Sequence, residues 1–176
     1  ASWDVDGATG FNTDNLLPKF EGGAHSFNVG LHVPGGLAAG TSNGFTVTVT
    51  SDNDASVTQT ETFSATINQC YGLILELEGS SSGSANPGIT FDFPVTVTNT
   101  GNGDDTIEFQ RMGPLAWSPT LSASSSTIPS GASSQVVFSL TVPSDASANA
   151  QSGMAMVHAY SEGCGDNTNN CDYEGH

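Results

Sequence analysis

Apolar and polar residues alternate along most of this chain, in short runs broken by turn residues. The clearest runs are 25–33, 44–50, 60–67, 71–78, 89–99, 106–110, 135–142 and 153–160. In the second, Phe45, Val47 and Val49 share one face while Thr46, Thr48 and Thr50 share the other. A half-buried strand with a wet outer face needs this period of two. Each run therefore predicts a β-strand. Between them, Asn99-Thr100-Gly101-Asn102-Gly103-Asp104 supplies residues that tolerate positive φ and predicts a connection between strands. Pro94 interrupts a strand pattern and predicts an edge strand or a bulge. The Gly/Ser-rich stretch 79–86 reads as a flexible loop.

The pattern also repeats. At a constant offset of 109 residues, 27–51 aligns without a gap on 136–160. Val29 meets Phe138, Leu31 meets Leu140, Val33 meets Val142 and Pro34 meets Pro143. Beyond a connection of equal length, Gly44 meets Gly153, Phe45 and Val47 meet Met154 and Met156, and Val49 meets His158. The second copy has strands before its tryptophan, Trp117, that the first copy lacks before Trp3. The expected organisation is an all-β pair of tandem sandwiches. Residues 1–70 would be the C-terminal half of one unit, incomplete and open to completion by another chain. Residues 71–176 would be a second unit lacking a regular last strand.

The second unit resembles Ig-like domains of archaeal and bacterial surface proteins, the type associated with α-galactosidases and related to the cell-adhesion-related bacterial domain. The residues that carry the resemblance are Val95-Thr96-Val97-Thr98-Asn99-Thr100-Gly101-Asn102, then Trp117, then Ile128-Pro129-Ser130-Gly131, and then 137–143 (VFSLTVP). The first unit matches the later part of this pattern. The resemblance implies tandem Ig-like antiparallel β-sandwiches with an accessory or scaffold role, and it brings no catalytic residues.

Composition narrows the function. Only Lys19 and Arg111 oppose 18 acidic residues, for a formal net charge of -16. Such a chain repels phosphate backbones and anionic lipid, so nucleic acid and membrane surfaces are not expected partners. Divalent cations and solubility in salt are the expected themes. No signal peptide, membrane-spanning run or lipid-attachment signal is visible, and the chain is expected to be a piece of something longer. Of three cysteines, Cys164 and Cys171 bracket a Gly/Asn/Asp loop that a disulfide closes easily, as extracellular proteins often do. Zinc is a poor alternative, with only His158 and His176 near the two sulfurs. Cys70 is left over, as a buried apolar residue or an intermolecular partner.

Four places concentrate oxygen ligands: Asp4/Asp6, Asp52/Asn53/Asp54, Asp104/Asp105, and Asp166/Asn167/Asn169/Asp172. Calcium takes six to eight such oxygens. The last group is the preferred calcium candidate, because a disulfide would order its ligands in advance. The plain alternative for each is a solvated acidic turn. No nucleophile elbow, His-Glu-x-x-His or phosphate loop appears, and Asp104 and Asp105 are adjacent, so their side chains should diverge. No catalytic residues are therefore assigned. The expected protein is a non-enzymatic, extracellular or cell-surface structural subunit of a surface layer, stalk, adhesin or filament. It would associate with itself or with neighbouring surface domains, by strand complementation and calcium. The alternative is a carbohydrate- or calcium-binding module of a larger secreted enzyme, with Trp3 or Trp117 as a sugar platform.

Overall fold

Alternation becomes strand wherever the structure is described. A computed structural model describes residues 4–6, 29–112, 117, 119–147, 150, 155–164 and 174–175. Every helix or strand among them is a strand, so the chain is all-β. It divides into two compact units, 1–37 with 41–66, and 38–40 with 67–176.

The first unit holds two antiparallel ribbons. Strand β1 (Asp4–Asp6) pairs with β2 (Gly30–His32), placing Val5 opposite Leu31. Strand β3 (Ser42–Thr50) pairs with β4 (Thr58–Thr66) over nine residues each, with Phe45 opposite Phe63. One face of this hairpin is a hydroxyl ladder: Ser42 with Thr66, Thr48 with Thr60, and Thr50 with Thr58, at 3.1, 3.3 and 3.3 Å. The tip is closed by Asp54, whose carboxylate accepts from the Ser56 amide and hydroxyl at 3.0 and 2.7 Å. That is an Asx turn.

The second unit is two four-stranded antiparallel sheets whose inner faces share a core. In one sheet, β5 (Leu73–Leu77), β6 (Thr90–Asn99), β10 (Ser133–Thr141) and β8 (Thr120–Leu121) lie side by side in that order. In the other the order is β12 (Glu174–Gly175), β11 (Met156–Ser161), β7 (Asp105–Met112) and β9 (Ser125–Ile128). Alternate residues turn inward: Leu73 and Leu75, Val95 and Val97, Ile107, Ile128, Val136 and Ala159 form one buried cluster. Toward the other end, Phe138, Leu140 and Val157 form a second, with Phe93 and Trp117 packed against it. Sheets stacked through inner faces in this way make a sandwich-like core.

Several expectations need correction. β6 is an interior strand, not an edge, yet Pro94 fits. Glu78 N–H donates to the Pro94 carbonyl at 2.8 Å just past the end of β5, so the donor that proline lacks would face Glu78, where the β5 ladder has already ended. In the first half of the repeat Leu31 and Leu140 are each more buried than the residues beside them, but Val29 and Val33 are exposed where Phe138 and Val142 are buried. On β11, Val157 and Ala159 point inward, so His158 is on the outer face, stacked on Tyr160 with ring centroids 5.8 Å apart. The gapless alignment therefore sets His158, half-buried on an outer face, against Val49 of the apolar stripe. Val49 itself is 52% exposed. A shift of one residue exchanges the two faces of a strand. Cys70 is exposed and free rather than buried.

Candidate functional site

Two places in the described structure offer more than packing, one in each unit. The first is the apolar face of the β3–β4 hairpin. Phe45 and Phe63 stack there at 5.6 Å, flanked by Val47 and Val49. Phe63 remains 48% exposed, and no described residue of the first unit is buried. Across the strands Val47 meets Glu61 and Val49 meets Gln59, so the apolar stripe has a polar margin.

The second is an open pocket of about 240 Å³ at one end of the sandwich. Asp104, Asp105 and Thr106 line one side, where β7 begins; Glu162 and Gly163 follow β11; Gln69 and Tyr71 lead into β5. The backbone explains why they meet. Glu162 N–H donates to the Thr106 carbonyl at 2.8 Å, carrying the β7–β11 pairing one step past Ser161. Gln69 Nε2 donates to the Asp104 carbonyl at 2.8 Å. Tyr71 lies against Gly163 so closely that a Cβ there would fall 2.5 Å from the ring. Only glycine suits that contact.

Asp104 and Asp105 differ in burial, Asp104 standing just before β7 and Asp105 opening it. Asp104 is exposed, whereas Asp105 is on the inner face in line with Ile107 and Phe109 and is 5% exposed. Its Oδ2 has no hydrogen-bond partner, and neither does the buried Oγ of Ser161, which shares that inner face. The parity of Asp105 with Ile107 and Phe109 was the signal in the sequence that could have singled it out.

Two segments singled out in the sequence, 99–103 and 128–131, meet at Asn99. Fully buried, it donates from Nδ2 to the carbonyls of Gly103 and Ile128 at 2.9 and 2.8 Å. Its Oδ1 accepts from the Gly101 amide at 2.8 Å, and its carbonyl accepts from the Gly131 amide at 2.9 Å. Ser130 donates to the Gly101 carbonyl at 2.6 Å. One side chain thus ties the 99–104 connection to the Pro129-Ser130-Gly131 turn.

The other sequence candidates separate. Asp166, Asn167, Asn169, Asp172, Cys171, His176 and Trp3 lie outside the described residues. Cys164 is buried and has a bonding partner. The carboxylate of Asp54 is engaged by Ser56, which holds its pKa below the ordinary aspartate value. Trp117 is half-buried against the second core cluster. Among the described residues, no three His, Cys, Asp or Glu side chains converge at metal-binding distance, and no helix is long and apolar enough to cross a membrane.

Glu78 offers a test of local electrostatics. Hydrogen bonds from Thr96 and then Gln135 hold its carboxyl below the ordinary glutamate value of 4.5. A depressed folded pKa means stability that is present above the unfolded value and is lost as pH falls through the folded one. An NMR titration should place the Glu78 midpoint below 4.5, and Thr96→Val should raise it. A midpoint unmoved by Thr96→Val would show that the hydroxyl does not act on it.

No protein-family model matches the chain, and comparison with curated proteins finds no match.

Proposed function

We propose that this chain is a non-catalytic structural subunit of an extracellular assembly, built from Ig-like units and joined to its neighbours through strands. The observation that supports this reading is the apolar face of the β3–β4 hairpin, where Phe63 is 48% exposed and no described residue of its unit is buried. A lone two-stranded ribbon is marginal in water. Its open edges are templates for an added strand, and its apolar stripe offers side-chain contacts to whatever adds there. A strand from a second copy or a neighbouring surface domain would supply both. Within this reading Cys164 and Cys171 form a disulfide that ties down the loop after β11. Cys164 is buried and bonded while Cys70 is free, in keeping with that pairing.

Light scattering on size-exclusion fractions tests the proposal. The chain should form concentration-dependent oligomers, and Phe63→Ser should weaken association about tenfold, the usual scale for an aromatic contact at an interface. Because Phe63 is exposed, the substitution should leave the fold of the second unit intact. A chain that stays monomeric at high concentration, or oligomers indifferent to Phe63→Ser, would refute strand-mediated assembly.

A further inference from the structure

We propose that the pocket around Asp105 is a calcium site. The inference is independent of assembly, because every residue it uses belongs to the second unit. Its starting point is an unmet need. Asp105 is buried at the inner end of β7, 95% removed from solvent by its 5% exposure, and Oδ2 meets no donor. A buried carboxylate oxygen without a hydrogen bond or a cation beside it is costly. Ser161 Oγ on the adjacent strand is in the same condition. The orphan oxygen of Asp105, a residue that lines an open pocket, points to a bound group that satisfies it.

The lining says what that group is. Besides Asp105, its lining includes Asp104, Glu162, Gln69 and Tyr71, each with a side-chain oxygen, and no lysine, arginine, histidine or cysteine; the Thr106 hydroxyl is engaged by Thr127 on the outer face. An anion would meet like charge. Zinc and its neighbours select nitrogen and sulfur. Magnesium demands a near-ideal octahedron. Calcium accepts an irregular set of carboxylate, amide and backbone oxygens and lets water complete it. Since fewer than three acidic side chains converge at ligating distance, Asp105 would share the ion with at most one other carboxylate and with neutral oxygens. That predicts the weak class of extracellular calcium sites, with Kd of about 10⁻⁴–10⁻³ M.

The test is calcium titration of the full chain by calorimetry, together with thermal melts with calcium and with chelator. Calcium at ten times Kd should raise Tm by about 5 °C. Asp105→Asn should abolish both the heat of binding and the calcium-dependent shift. Asp166→Asn and Asp172→Asn should bind as the parent does. Terbium provides a readout that does not depend on the Asp105 variant folding: bound in the pocket, it should show emission sensitised by Tyr71. Tyr71→Phe should remove most of that emission while calorimetric binding persists. A chain that binds no calcium at millimolar concentrations overturns the proposal. So does undiminished binding in Asp105→Asn, loss of binding in Asp166→Asn, or terbium emission indifferent to Tyr71→Phe.

Discussion

Asn99→Ala is expected to destabilise the second unit by about 3 kcal/mol, measured by urea unfolding. The side chain is fully buried, and its loss strands the Ile128 and Gly103 carbonyls and the Gly101 amide together. A buried group left without its partner costs about 1–3 kcal/mol, well above the net worth of the bond itself. Ser130→Ala is the control. Its hydroxyl also reaches this turn pair, at the Gly101 carbonyl, but from an exposed position where water can replace it. That substitution should cost less than about 1 kcal/mol. If the two variants unfold alike, Asn99 is not the tie between the 99–104 connection and the Pro129-Ser130-Gly131 turn.

Ile107→Ala should cost about 4 kcal/mol, and Ile107→Val about 1. Ile107 has 0% exposure and sits on β7 between β9 and β11, opposite Ser126 and Ser161. It packs in the cluster that joins the two sheets, with Leu75, Val97 and Val136 contributed from the facing sheet. Removing its branch leaves a void that neighbours held in two sheets cannot collapse to fill. Ile74, on the outer face of β5 and 44% exposed, is the comparison. Ile74→Ala should change stability by no more than about 0.5 kcal/mol. Equal losses at the two positions would mean that the two sheets do not share the core described above.

Much of the strand content was legible. The alternating runs at 44–50, 60–67, 71–78, 89–99, 106–110 and 135–142 correspond to β3, β4, β5, β6, β7 and β10, with ends displaced by a few residues. Four short strands were not legible. β9 reads Ser-Ser-Thr-Ile and carries one apolar residue, so no alternation marks it; it is a strand because β7 lies beside it, with Thr106 and Thr127 hydroxyls 3.0 Å apart. β8 and β12 have two residues each and β1 three, too few for any period to show.

The candidate sites divide along the same line. Asp104 and Asp105 were visible as an acidic pair, and the parity of Asp105 with Ile107 and Phe109 follows from strand geometry alone. That Asp105 is the buried member depends on where β7 begins and which face meets the other sheet. Asn99 stood in a recognisable motif, but its three side-chain partners are up to 29 residues away in the chain. The gapless alignment paired His158 with Val49 of the apolar stripe, yet Val157 and Ala159 are the residues of β11 that turn inward, a parity no alignment of the two copies shows.

By itself, the sequence determined that this protein is made of strands, which residues of each long strand share a face, and that the chain carries a large negative charge. Those are local or additive properties, set by a backbone period of two and by counting ionisable groups. Only the tertiary structure decided which strand lies beside which, that Pro94 sits in an interior strand, and that Asp105 and Asn99 are buried. Pairing and burial are settled by competition among distant segments for the same core, and a single strand's pattern holds no record of its neighbours.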